Sequence, residues 1–511
     1  MYTFSSKLKT FSFVLMLVGI LGIGYGFLTA PKTIQDVEAI LKAEEAEAHH
    51  GGGHEATAHH EEAKAESHEA ETSHEEVAET PADSTVANHG EAVSAVATHD
   101  SIAKDSTAVA VVPAEAHVEK TEAHAEHAGH SEAHADEHAE HVKHVFNQLT
   151  NKPWAALYVA CIFFMLIAMG ALAFYAIQQV AQAGWSPVLF RVMQGVTAYL
   201  LPGSIIFFIL LLASGFHMNH LFSWMAEGIT EKGNENYDAI IAGKSGYLNF
   251  PFWIIRAILF LTVWNLYRIY SRKNCLAQDE SNDNSYYKKN FKMSAAFLVF
   301  FIVSESIMSW DWIMSIDAHW FSTLFGWYVF ASFFVSGITV IQMVTLYLKS
   351  KGYLKNVNSS HIHDVSKFMF GISVFWTYLW FSQFMLIWYA NIPEEVTYFV
   401  TRINEYGIMF WGAFAMNFIF PILLLINTDF KRITWIIVMA GSIILVGHYM
   451  DFFNMIMPGT VGDRWFIGIP EISSVLFFAG LFIFVVFSAL TKAPLVPKRN
   501  PFIEESEHFH Y

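Results

Sequence analysis

Cysteine is nearly absent from this 511-residue sequence: Cys161 sits inside an apolar run and Cys275 in a polar loop. There is no CxxCH and no multi-cysteine cluster, which excludes covalent c-type haem, cysteine-ligated iron–sulfur clusters and a disulfide framework on this chain. Charge is scarce after Pro153, where apolar runs follow one another. None of these runs shows the alternation of a membrane β-strand. The chain is 54% hydrophobic and 16% aromatic, yet its formal charge is -17. The two facts are reconciled by segregation, because most of the acid lies between Asp36 and Glu140. Net charge therefore says little about partners, and no nucleic-acid partner is expected.

What is present is a series of runs about 18 to 25 residues long, the length of a helix that crosses a bilayer. Ten are expected, near Phe11–Thr29, Trp154–Ile177, Val192–Phe216, Phe250–Tyr270, Phe291–Met314, Trp320–Leu348, Phe368–Ala390, Gly407–Ile426, Ile433–Phe453 and Ile472–Leu490. The fold class is thus an all-α polytopic membrane protein. Lysine and arginine set its orientation. With Lys7 and Lys9 inside, the inner loops carry Arg191, then Arg272, Lys273, Lys288 and Lys289, then Lys349, Lys351, Lys355 and Lys367, then Lys431 and Arg432. The short outer loops hold only Lys232, Lys244, Arg402 and Arg464. Both termini are expected in the cytoplasm of a bacterial cell with the chain in its inner membrane. Pro31, just past a potential cleavage site, disfavours signal processing, so residues 1–30 are expected to be an uncleaved anchor helix.

Residues 31–150 are expected to be a disordered periplasmic segment. From His49 to His144 the sequence is built of His, Glu, Ala, Ser and Thr, with too little apolar surface to offset the entropy of ordering. Local helix is expected only in its Ala/Glu-rich part, Ala123–Ala139. Seventeen histidines in this stretch raise metal buffering as one reading. Their irregular spacing offers no fixed coordination pattern, so a solvated linker is the preferred one. Residues 151–492 form the nine-helix membrane domain, and 493–511 a cytoplasmic tail.

Ionisable residues in membrane spans are costly and are candidates for function by default. The set is small: His217, Arg256, Glu305, Asp311, Asp317, His319, His448 and Asp451. Ser304, Met308, Asp311 and Ser315 share one helical face, with Glu305 and Ser309 on the next. Arg256, two turns into its span, is expected to pair with Glu305 or Asp311. His448 and Asp451 are three apart. By the charge-derived topology nearly all of these groups fall in the outer half, whereas the inner half offers mostly amides and hydroxyls such as Gln178, Gln179, Gln342 and Thr345. That asymmetry favours a half-path for protons. Trp310, Trp312 and Trp320 are expected to form an interfacial belt. A b-type haem would need two histidines facing each other at similar depth, and only His448 lies well within a span, so none is expected.

Two stretches carry a family resemblance. Ser309-Trp-Asp-Trp-Ile-Met-Ser-Ile-Asp-Ala-His-Trp320 and Trp376-Thr-Tyr-Leu-Trp-Phe-Ser-Gln-Phe-Met-Leu-Ile-Trp-Tyr-Ala-Asn-Ile-Pro-Glu-Glu395 resemble the smaller NrfD-like (polysulfide-reductase-like) membrane subunit of bacterial alternative complex III. The resemblance covers roughly Pro153 to Pro497. It implies a pair of four-helix bundles with peripheral helices, in a quinol:cytochrome c or quinol:oxidase oxidoreductase. It also implies partners: a multihaem cytochrome c subunit, an iron–sulfur subunit, a larger NrfD-like sister subunit and a haem-copper oxidase. Haem c and iron–sulfur clusters would lie on those partners, leaving this chain to support proton transfer and to bind quinone. A secondary transporter and a purely structural anchor subunit are the rival readings.

Overall fold

A computed structural model describes residues 2–51 and 126–510, with side chains for 2–46 and 138–510. Among the described residues the chain is helical, without a strand. In order the helices are α1 Ser6–Thr29, α2 Ile34–Gly51, α3 Glu126–Val180, α4 Phe190–Val196, α5 Leu200–Gly215, α6 Ala239–Lys244, α7 Phe250–Gln278 and α8 Ser285–Trp312. They continue with α9 Phe325–Ser350, α10 Ser359–Ala390, α11 Pro393–Asn404, α12 Gly407–Phe414, α13 Phe420–Leu425, α14 Thr434–Ile456, α15 Pro458–Val461, α16 Ile469–Leu490 and α17 Ile503–Glu507. Ten segments are long and apolar enough to cross a membrane, and each overlaps one of the ten expected runs. The chain is a multi-pass membrane protein.

The compact unit made of residues 1–38 and 140–511 holds all ten spans except the first two residues of the second, 138–180. In the other unit, 39–139, the described parts are helical: the rest of α2 and the start of α3. The segment read as disordered, 31–150, is therefore helical at both described ends. Its C-terminal helix begins at Glu126, within the Ala/Glu-rich part where local helix was expected. The rest of the stretch expected to be disordered, and with it most of the histidines considered for metal binding, lies outside the described residues.

Burial identifies the central helices. The apolar windows of α3 and α9 are each 89% buried, far more than those of their neighbours. They cross closely because glycine leaves room: a Cβ on Gly170 would fall 2.3 Å from Phe333 O, and one on Gly337 2.5 Å from Ala171 N. Small residues at such crossings are the usual route to tight packing in lipid, where no hydrophobic effect pulls helices together. Around this pair, α7 packs on α5 and α8, while α9 packs on α8, α10 and α14. Large apolar side chains such as Ile205, Ile258, Val299, Leu386 and Ile408 remain exposed at the periphery, as a lipid-facing surface requires.

Local signals set the registers that matter below. Asn249 caps α7 by accepting the Phe252 N–H at 3.0 Å, with Pro251 in the first turn. From that start Trp253, Arg256, Ala257, Phe260 and Trp264 fall on the buried face. Between α12 and α13, Ala415–Ile419 forms a π-helical turn just before Pro421, whose missing N–H breaks the regular ladder. The segment 493–510 is pinned to the helical core through Ser506. Ser506 Oγ donates to Trp185 O (2.7 Å), and His361 Nε2 meets Ser506 O (2.9 Å).

Candidate functional site

Two carboxylates lie deep in the helical core, and their surroundings differ. Asp311, on the last turn of α8, is fully buried and gripped by Arg256 of α7, Nε to Oδ2 at 2.6 Å and Nη2 to Oδ1 at 2.8 Å. The guanidinium also bonds Tyr247 O at 3.2 and 3.3 Å, and lies over the rings of Tyr247 and Phe252. The backbone around the pair is held as firmly. Trp253 Nε1 and Ser315 Oγ donate to Asp311 O (2.8 and 2.6 Å), and Tyr158 OH to Trp312 O (2.7 Å). A two-point guanidinium–carboxylate contact satisfies both charges geometrically. Of the two carboxylates expected as partners for Arg256, the structure selects Asp311.

Asp451 is held by neutral donors instead. Tyr328 OH donates to its Oδ1, while Ser332 Oγ (2.7 Å) and Trp376 Nε1 (3.0 Å) donate to its Oδ2. The indole N–H is shared with Ser332 Oγ at 2.9 Å. His448, one turn back on α14, stands with Nδ1 3.8 Å from Asp451 Oδ2 and its ring perpendicular to Trp376, 5.4 Å away. Neither ring nitrogen has a hydrogen-bond partner among the described residues. Beside it, the Asn417 amide of the π turn is also buried without a partner. It packs on Gly447, where a Cβ would fall 2.3 Å from Asn417 Oδ1. Such unmatched buried polar groups cost free energy unless water or a moving proton satisfies them.

From Asp451 a polar stripe follows α9. Tyr328, Ser332, Ser336, Thr339, Gln342 and Thr345 recur every three or four residues, all buried. Ser336 Oγ bonds Ser332 O (2.7 Å), and Gln342 Nε2 reaches Ile362 O and Ser366 Oγ on α10 (3.0 and 3.2 Å). Thr339 Oγ1 and Gln342 Oε1 have no partner among the described residues. The stripe runs to the end of the helix opposite Asp451.

A second buried network occupies that opposite end between α3, α4, α7 and α8. The Tyr175 hydroxyl is met by Gln179, Gln194, Ser271 and Asn290 at 3.0–3.2 Å. Arg191 binds Asp279 at 2.6 Å and Gln194 at 3.1 Å. The groups here are mostly amides and hydroxyls, with the buried Arg191–Asp279 ion pair beside them.

The other candidates are dispersed. Glu305 is 2% exposed, with Oε1 accepting from Ser306 Oγ (2.7 Å) and Oε2 unpartnered among the described residues; neither Arg256 nor Asp451 bonds to it. Asp317 and His319 do not join Asp311. His319 Nε2 pairs with Asp238 Oδ2 at 2.6 Å, while Asp317 lies half-buried near Lys244, whose Nζ donates to Ala318 O at 2.6 Å. Asp238 also caps α6. The Ile241 and Ile240 N–H groups, with His319, hold its carboxyl below the usual aspartate range. Burial pushes the Lys244 ammonium down, against the pull of Asp317 and Asp238. His217 is exposed at a positive φ of 55°, beyond the end of α5. The tryptophan belt fails in part. Trp312 is fully buried against Phe207 and Trp264, and Trp320 stacks on Tyr398 at 3.9 Å.

Tyr328, Ser332, Trp376 and Asn417 are the partners that the sequence reading missed. The period of three to four hydroxyl and amide residues in α9 was a legible signal. The approach of Trp376 and Asn417 was not, since it depends on how α10 and the π turn pack on α14. Searches of known family models and of curated proteins return no match to this chain. The family resemblance therefore rests on the two motif stretches themselves.

Proposed function

We propose that this chain is a membrane subunit of a quinol-oxidising respiratory complex and conducts protons along α9, from the Asp451–His448 centre towards the opposite end. The observation that carries the reading is the alignment of buried polar side chains along α9, from Tyr328 and Ser332 on Asp451 through Ser336, Thr339 and Gln342 to Thr345. Proton transfer needs groups that both donate and accept, and hydroxyls, imidazole and carboxyl do so. In this reading the half-path favoured by the sequence becomes a longer route. The redox cofactors sit on partner subunits, as the alternative complex III resemblance implies, and the NrfD-like bundle pair supplies the scaffold. Quinone oxidation belongs to the larger sister subunit, both termini face the cytoplasm, and Asp451 opens towards the periplasm.

The structural-anchor reading has support at the other centre. Arg256 and Asp311 satisfy each other and leave no orphaned atom on either carboxylate oxygen. We assign that pair to holding α7 against α8.

The test uses the intact complex in vesicles. Asp451→Asn and Thr339→Val should leave quinol oxidation measurable while proton transfer per electron falls, by about a hundredfold in rate where Asp451 is lost. Unchanged proton stoichiometry in both variants would sink the proposal.

A further inference from the structure

At the end of α9 opposite Asp451, basic side chains from two elements gather beside an open groove. Lys367 projects from the third turn of α10, with its side chain 41% exposed and Nζ 2.5 Å from Asp364 Oδ1. The turn Phe430–Arg432 packs against the same stretch of α10 and brings Lys431 Nζ to 5.5 Å from the Phe370 ring. Lys431 is anchored on Leu425 O and Ile426 O (2.8 and 3.2 Å), and burial together with the nearby Lys367 depresses its ammonium pKa. Lys367, Lys431 and Arg432 all act electrostatically on the buried His363 between them. Lys367 pairs with Asp364, while Lys431 and Arg432 lie close enough to the same stretch of α10 to act on His363; Asp429 is the other acid on these segments. Arg432 is exposed, and Trp435, on the next turn, is 65% exposed.

The groove beside Lys367 has a volume of about 320 Å³ and is lined by Trp185, Asp364, Lys367, Phe368, Gly371 and Ile372. Its composition is graded. Charge lies at the end of the span, and an apolar floor runs along the membrane-facing side of α10. Gly371 makes that floor open, because a Cβ placed there meets no heavy atom within 4 Å. Trp185 forms one wall and stacks on Phe368 with centroids 6.1 Å apart. A soluble anion would use only the charged end. A molecule with an anionic head and an aliphatic chain would use both.

We propose that this groove binds an anionic phospholipid, with its phosphate on Lys367 and Arg432, Lys431 behind them, and an acyl chain lying over Gly371 and Ile372. Basic pockets at the membrane boundary attract anionic headgroups, and each cation near the surface adds to the attraction. The indole of Trp185 suits the headgroup level. The site is separate from the Asp451 stripe and does not depend on it.

The experiment uses the full chain purified in detergent and exchanged into nanodiscs of phosphatidylcholine alone or of phosphatidylcholine with phosphatidylglycerol. Retained lipid is counted by native mass spectrometry and thermal stability is followed. Phosphatidylglycerol should be retained and should raise the melting temperature; phosphatidylcholine should do neither. The double variant Lys367→Gln/Arg432→Gln should weaken retention roughly 30-fold. Gly371→Leu keeps every charge and favours the helix, but fills the floor, and should also lose the lipid. Equal retention of phosphatidylcholine, stabilisation by inorganic phosphate alone, or full retention by Gly371→Leu would each overturn the proposal.

Discussion

Arg256 and Asp311 meet through two parallel hydrogen bonds, 2.6 and 2.8 Å long, from α7 to the last turn of α8, with Asp311 fully buried. The same turn receives the Trp253 indole and the Ser315 hydroxyl on its carbonyl. Removing either ion would leave the other buried without its partner. Asp311→Asn or Arg256→Gln should therefore lower stability by about 3–5 kcal/mol. The double variant Arg256→Gln/Asp311→Asn should recover part of that loss, because no charge is then stranded. Denaturant unfolding in micelles, analysed as a double-mutant cycle, checks this; additive losses would contradict it.

Arg256→Lys should not rescue the pair. Lysine keeps the charge but cannot supply the planar fork to both carboxylate oxygens. A melting temperature closer to that of Arg256→Gln than to the parent is the expected result.

Trp376→Phe removes one donor from Asp451 and from Ser332 while preserving most of the ring packing against His448. The cost should be about 1–3 kcal/mol from the unmatched acceptors. Proton transfer should slow less than in Asp451→Asn, since the carboxyl remains. Equal slowing in the two variants would argue that the indole, and not the acid, controls the step.

Gly170→Leu should be poorly tolerated. Its side chain would meet Phe333 O at the crossing of the two most buried helices. Overpacking costs typically about 1–3 kcal/mol, and more where backbone must move. Gly24→Leu, on α1 in open space, serves as the matched control. Yields of folded protein after detergent extraction separate the two.

The Asp238 loop gives a pH prediction. Its carboxyl is held below the ordinary aspartate pKa of 3.8 by the Ile241 and Ile240 N–H groups and by His319. A depressed carboxyl pKa contributes stability above the unfolded value, and this is lost as pH falls through the folded one. Hydrogen exchange in residues 238–244, corrected for intrinsic rate, should stay protected down to about pH 4 and rise below it. Asp238→Ala should show raised exchange already at neutral pH. Identical protection in the variant would refute the capping role.

The ten spans were legible because lipid allows few alternatives to a helix, and length with hydropathy is enough to find one. The face shared by Ser304, Met308, Asp311 and Ser315 was legible for the same reason: a helical period fixes which residues lie together. The choice of Asp311 over Glu305 as partner of Arg256 was not, because it depends on the rotation of α7 against α8. The tryptophan reading erred at Trp312 and Trp320 because an indole at a span end can face the core as well as the interface. The helix of the second span extends well beyond its apolar run, into the Ala/Glu-rich part where local helix was expected. Glu126–Val180 runs continuously through polar and apolar residues alike, since Ala and Glu carry good helix propensity whatever their hydropathy.

The seam between α1 and α16 has a bearing on biogenesis. Gly19, Gly22 and Gly26 face Phe477, Ser473 and Pro470, and Gly480 faces Ser12, so closely that a methyl group on any of the four would collide. The α1 span is thus completed by one that follows it, among the described residues, after eight other crossings. Until Ile469–Leu490 enters the bilayer, the glycine edge of α1 has only lipid to meet. The nascent chain must remain an open arc through eight intervening crossings and close in one late event. Any stop in translation before Ile469 would leave α1 without its docking partner.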